Sequence, residues 1–377
     1  MSHWPGKFVI GLTGNIASGK SVIRRMLEHQ GAYGIDADAL GHRAISKGAP
    51  GYEPVVDYFG KWILDETGQV VRGRLGKFVF SMPGELEKLE TIIHPLVRQA
   101  VDVLVRRARQ PVIVIEAIKL LEGELHKACD TIWVAHADPD VRLRRLVEKR
   151  GMAEADAQAR IDSQGDARLK LSAADVVVRN GGSFENTWRQ VSSAWKNTVP
   201  QGDILEPFPI EAEPGALTVQ RARPSQAGLI ARLVTRITSG KRMMTRNDVM
   251  EAFGEKAFLL LSLGARPVGL LGYQVENLVT RSTDFYLESG VPLAEAASAV
   301  IKQVEAASAD LQSEASLLFL PLELAVHHHV WHALGYEKRS VEAINVRAWQ
   351  EAARESYVDG SELFFKQLRV DRVLRPI

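Results

Sequence analysis

A chain of 377 residues exceeds what one hydrophobic core of ordinary size holds together, and it suits two domains. With 47 Lys plus Arg against 46 Asp plus Glu, the formal charge is +1, so no global field draws the chain to nucleic acid or to an acidic membrane, and neither is an expected partner. A single cysteine, Cys129, excludes an internal disulfide framework and a cysteine metal cage, while the absence of a bilayer-length apolar run and of a secretory-signal pattern gives a cytoplasmic expectation.

In the first 200 residues, short apolar runs alternate with helix-period segments. The runs are KFVIGLTG, AYGIDAD, PVIVIEA, DTIWVAHA and ADVVVRN, separated by stretches such as ELEKLETIIHPLVRQAVDVLVRRA. That alternation predicts an α/β unit with a parallel sheet covered on both faces, whose ligands sit beyond the carboxyl ends of the strands.

The first run leads into GNIASGKS, in which Gly14, Gly19, Lys20 and Ser21 fit the phosphate-loop pattern between a strand and a helix. Glycines let backbone N–H groups wrap a polyphosphate, and the helix N-terminus adds positive potential. Gly14, Asn15, Ala17, Ser18, Gly19, Lys20, Ser21 and Val22 are therefore the nucleotide-binding set, with Lys20 on the β and γ phosphates and the Ser21 hydroxyl suited to Mg²⁺. At the end of the second run, Asp36 and Asp38 stand two apart. A carboxylate there can take the proton of an acceptor hydroxyl or assist Mg²⁺ through water, or one of the pair can cap the helix that follows. Glu116, after the third apolar run, is a candidate metal-assisting acid.

The motifs GLTGNIASGKS, DADALGH, VRGRLGKFVF, LETIIHPLVR, RLVEKRGMAEADAQARIDSQ and ADVVVRNGG follow one another in an order that resembles dephospho-CoA kinase. The resemblance implies a P-loop kinase with helical acceptor-binding and lid segments, which uses ATP and Mg²⁺ to phosphorylate the ribose 3′-hydroxyl of dephospho-CoA, the last step of CoA synthesis. It makes Asp38 the catalytic base and Asp36 a supporting acid. It places Arg74 and His94 on the acceptor, Arg145 in a catalytic lid, and Asn180 with Gly181 in the turn near adenine. Arg160 and Gln164 match motif positions without an assignable role, and Arg142, Arg144 and Lys149 read as solvated lid residues.

Two departures from the family pattern stand out. Ala17 replaces a common glycine, so either its φ is negative or the loop is distorted and activity falls. Lys149 stands where the family has arginine, and it orients a phosphate less well.

Pro200, Pro207, Pro209 and Pro214 mark a linker over residues 201–216, which divides a kinase-like domain of residues 1–200 from a second domain of residues 217–377. The second domain reads as α+β: a helix around PSQAGLIARLVTRI, a hairpin turning at Ala265 and Arg266, a helix PLAEAASAVIKQVEAAS, then ASLLFLPLE and HVWHALGYEKR, with a C-terminal extension. It resembles GNAT-type acyltransferases over residues 217–355. That likeness makes a CoA or acyl-CoA ligand the candidate occupant, held at a turn containing Gly290. Leu287 and Pro292 remove a polar group and a donor there, which argues against catalysis. His328 and His332 have a metal-compatible spacing without a completing carboxylate, and Tyr336 is either a general acid or core. Two rival readings of the chain are a kinase for another small acceptor and a regulatory ATP- or CoA-binding protein without turnover.

Overall fold

The computed structural model describes residues 3–82, 84–165, 167–200 and 217–370, so the proline-rich linker at 201–216 lies outside the described residues. The five apolar runs of the first half form β1 (Phe8–Thr13), β2 (Tyr33–Asp36), β3 (Val112–Glu116), β4 (Thr131–His136) and β5 (Val176–Arg179). They pair in the order β2-β3-β1-β4-β5, all parallel.

Successive side chains of a strand point to opposite faces, and both faces of this sheet are covered. Ile10, Leu12, Val112, Val114 and Trp133 pack against Ile23, Met26 and Leu27 of α1 (Lys20–His29) and against Val191 and Trp195 of the helix Phe184–Thr198. On the opposite face, Val9, Ile113 and Ile115 meet Val97, Val101 and Leu104 of the long helix Glu85–Arg107. Each such fully buried aliphatic side chain contributes about 1.5–3 kcal/mol. Cys129 lies at the edge of this second cluster, where its thiol donates to Leu125 O at 3.3 Å and burial pushes its pKa up to about 12.

The second sheet holds β6 (Leu217–Arg221), β7 (Ala257–Leu263), β8 (Arg266–Glu276), β9 (Val279–Leu287), β10 (Ala315–Pro321), β11 (Glu337–Lys338) and β12 (Ser361–Gln367). Its order is β11-β12-β10-β9-β8-β7-β6, antiparallel except for the parallel pair β9 and β10. The helices Ala227–Ile237 and Arg246–Ala252 cover one face and Leu293–Asp310 covers the other, so the α+β expectation holds.

Three local features differ from the sequence reading. The β7–β8 turn is Gly264–Ala265, with Leu263 opposite Arg266, because Gly264 supplies the positive φ (58°) that a two-residue hairpin needs. β9, whose Arg281 and Asp284 disguised it, is a central strand. HVWHALGYEKR ends in the short β11, which pairs with β12; the helix Arg347–Glu355 fills the stretch between them, and β12 falls in what read as an extension.

Candidate active site

The loop after β1 is shaped by glycines at both ends. A Cβ on Gly14 would lie 2.4 Å from Ala135 O, and one on Gly19, at φ 90°, would lie 1.8 Å from Asn180 Nδ2. These close approaches let the backbone fold over the end of β4 and start α1 at Lys20. Ala17 does not take negative φ; it stands at 57°, in the left-handed region that costs a non-glycine residue about 1 kcal/mol. The lid offsets that strain. Arg145 donates to Ala17 O at 3.1 Å, and the Ala17 side chain packs with Ile16 against Leu146, Ala157 and Ile161.

Beyond β1 the charged groups converge. Lys20 is buried and its ammonium contacts Asn15 O at 3.3 Å; burial lowers its pKa against the opposing fields of Glu116, Asp38 and Asp36. The Ser21 hydroxyl donates to Glu116 Oε1 at 2.9 Å, while Arg24 Nε donates to Glu116 Oε2 at 2.8 Å and its Nη1 to Glu28 at 2.6 Å. Ser21 and Glu116 thus present two adjacent hard oxygens at the loop, a donor set that fits Mg²⁺ shared with phosphate oxygens. Among the described residues no group of three or more His, Cys, Asp or Glu side chains forms a metal cage of its own.

The two aspartates divide their tasks. Asp36 accepts from Ala39 N at 2.9 Å and so caps α2 (Ala37–Ala44). Burial, reinforced by Glu116, pushes its pKa up to about 7. Asp38, in the first turn of α2, accepts from Ile118 N at 3.0 Å; burial raises its pKa, and that hydrogen bond together with Lys20 opposes the rise. A carboxylate beside a phosphate loop with a pKa above its ordinary value has the properties of a general base.

The lid and the last strand close the other side. Arg145 Nη2 donates to Asn180 O at 2.7 Å, and Asn180 Nδ2 donates to Ser18 O at 3.0 Å, so Arg145, the loop and the turn after β5 share one hub. Arg145 opens a π-helical turn, Arg145–Lys149, that continues the helix Pro139–Arg144. Gly181 borders a cavity of about 240 Å³ with His136, Asp138, Arg179, Asn186 and Gln190. Gln164 gains a role that sequence did not supply, since its side-chain oxygen accepts from Ile16 N at 2.7 Å.

Some expected residues stand apart. Arg74 is exposed and donates to Leu64 O at 2.8 Å and Trp62 O at 3.3 Å, and His94 is exposed on the long helix; no hydrogen bond between described residues ties either to the loop. Lys149, Arg144 and Arg160 are exposed, but Arg142 is buried, with Nε and Nη1 unpaired, contrary to its reading as solvated. Lys170 was missed. It is buried, donates to Ile118 O at 2.5 Å and adds its field to Asp38 and Lys20, but nothing in its local sequence signals a tertiary contact of this kind.

Residues 8–186 match the family model described as dephospho-CoA kinase. The dephospho-CoA kinase of Geobacillus kaustophilus is 39% identical over 201 residues, which cover 52% of this chain and 98% of the relative. The chain belongs to the dephospho-CoA kinase family. In shape, a Thermus thermophilus protein aligns at TM-score 0.46 and 28% identity over 52% of this chain and 99% of its own. A GNAT-family acetyltransferase from Staphylococcus aureus aligns at TM-score 0.33 and 10% identity over 41% of this chain and 100% of its own.

The kinase relatives account for about half of the chain, and the second half shows no comparable convergence. The turn between β9 and the helix Leu293–Asp310 is open: Gly290 is at φ 89° with nothing within 4 Å of a Cβ placed there. Tyr336 is core, buried and donating to Ser316 Oγ at 2.9 Å, with its pKa raised by burial. His328 and His332 are exposed on the short helix His328–Ala333. No described helix is long and apolar enough to cross a membrane.

Proposed function

We propose that this dephospho-CoA kinase transfers the ATP γ-phosphoryl group to the ribose 3′-hydroxyl of dephospho-CoA, giving CoA and ADP, with Asp38 as the base. The observation that carries the residue assignment is the convergence of Lys20, Ser21, Glu116 and Asp38 at the mouth of one loop. The loop backbone and Lys20 hold the triphosphate. Asp38, oriented by Ile118 N–H, takes the 3′-hydroxyl proton as that oxygen attacks phosphorus in line and ADP leaves. Arg145, docked on Ala17 O and Asn180 O, supplies a cation on the lid side. Mg²⁺, held through Ser21 with Glu116 beside it, would neutralise charge on the phosphates when bound.

Asn180 and Gly181, beside the 240 Å³ cavity, are the proposed adenine-side residues, with Arg74 and His94 as the acceptor side. The boundary at residues 201–216 and a CoA-type ligand for the GNAT-like half are further parts of the proposal. The test is ADP release by the full chain with Mg²⁺-ATP, with and without dephospho-CoA, together with analysis of the product for a new 3′-phosphate. Acceptor-dependent turnover that Asp38→Asn abolishes while ATP still binds supports the assignment. Full turnover in that variant removes Asp38 from the base role.

A further inference from the structure

The two halves meet on the helices that serve the phosphate loop. α1 begins with Lys20 and Ser21; near its end, Arg25 Nη1 reaches Val275 O at 3.5 Å and His29 Nε2 lies 2.8 Å from Phe253 O. α2 carries Asp38 in its first turn and Arg43 in its last. The Arg43 guanidinium donates to Asn277 O through one nitrogen and to the Glu314 carboxylate through another, at 2.5 Å for the latter.

Val275 lies at the end of β8, and Asn277 and Leu278 form the turn that joins β8 to β9. Glu276 faces Val279, and Asn277 and Leu278 both have positive φ (52° and 60°), the geometry of a tight two-residue hairpin turn. Leu278 is buried among kinase residues, in the cluster that holds Tyr33, Ile35 and Leu104. Arg24, Glu28 and Asp36 border a space of about 40 Å³ beside the same turn.

The energetic character of the contact is as telling as its place. The Glu314 side chain is 0% exposed and that of Arg43 10%. Such a pair costs desolvation and adds little net stability, but its fork fixes orientation. Other ion pairs between the halves are more exposed: Arg109–Asp310 and Arg246–Glu185 stand in solvent and are of the kind that holds little, and Arg72–Glu351 and Arg347–Asp65 are partly exposed. The buried pair therefore lies where orientation matters, five residues or about 7 Å along α2 from Asp38.

We propose that the β8–β9 turn is a working part of the kinase site: Asn277 and Glu314, acting through Arg43, fix the end of α2, while Val275 meets Arg25 of α1, and so set Asp38 relative to the Lys20–Ser21 loop. Arg43 and Glu314 are positioning residues, and the second half is a brace for phosphoryl transfer whatever else it binds. This rests on Asp38 acting as the base.

The test uses full-length Glu314→Gln and Arg43→Lys, with Arg109→Ala as an interface control and Asp38→Asn as the site control. In each, kcat, the KM for ATP, the pH profile of kcat and the melting temperature are measured. A displacement of about 1 Å costs on the order of 100-fold in rate. The expectation is a kcat loss of about 10- to 100-fold in Glu314→Gln and Arg43→Lys, with the KM for ATP within about two-fold and Arg109→Ala unchanged. The acid limb of the profile should also move to higher pH as Asp38 slips off Ile118 N–H. Wild-type kcat in folded Arg43→Lys or Glu314→Gln overturns the brace. So does a rate that falls only in step with melting temperature and ATP affinity, with an unmoved acid limb. If Glu314→Gln does not fold, Arg43→Lys, which keeps the charge and loses the fork, decides. Turnover retained by Asp38→Asn instead defeats the base assignment and leaves the brace without its target.

Discussion

The loop from Gly14 to Gly19 and the turn from Leu287 to Pro292 occupy similar places, each leading from a strand into a long helix. At the first, two glycines lie within contact of Ala135 and Asn180, and a lysine, a serine and a lid arginine converge. At the second, a glycine with the same left-handed φ faces empty space. A glycine before a helix therefore marks a turn, and a binding site is marked by what the backbone is brought against.

The largest effect separating the two regions should come from Asp38→Asn. Turnover with dephospho-CoA is expected to drop by about 100- to 10,000-fold, whereas no single substitution between Leu287 and Pro292 should change it more than about two-fold. In the wild type, kcat/KM should fall as pH drops through the raised Asp38 pKa, because the base works only when ionised.

Glycine replacement sharpens the contrast. Gly19→Ala meets Asn180 as well as backbone strain and should cost about 3 kcal/mol in urea unfolding, with loss of ATP binding. Gly290→Ala meets strain alone, about 1 kcal/mol, and should leave ATP binding intact.

The interface answers to pH at His29. Burial and Arg221 lower its pKa to about 3, so the folded protein binds fewer protons than the unfolded chain between about 3 and 6.5, and stability falls as pH drops through that window. Asp36, raised to about 7, has the opposite slope. His29→Gln keeps an N–H for Phe253 O and should gain about 1–2 kcal/mol on the wild type between pH 7 and pH 5, read from urea midpoints.

The smallest effect belongs to Ala17→Gly. Relief of φ strain and loss of the methyl contact with the lid oppose each other, so stability should change by less than about 1 kcal/mol and turnover by less than about three-fold.

What was legible in the sequence followed physical range. β1 and its loop were readable because strand, glycines, Lys20 and Ser21 are contiguous, and the parallel sheet because its β-branched runs are buried on both faces. Which of Asp36 and Asp38 caps the helix could be narrowed to two alternatives, and only the Ala39 and Ile118 N–H contacts separate them. Lys170, Gln164 and the buried Arg142 were out of reach, since each owes its role to a contact with residues far along the chain or to burial. β9 was missed because Arg281 and Asp284 find partners in Glu355 and Lys256 that no local window contains.

Cys129 has a practical consequence. A thiol whose pKa burial pushes up to about 12 and which donates to Leu125 O is a poor nucleophile at neutral pH, so Cys129 should react slowly with maleimides. Two cysteines placed on exposed positions, one in each half, would then take fluorophores selectively, and energy transfer between the dyes could follow the spacing of the halves through a catalytic cycle without first engineering the native residue away.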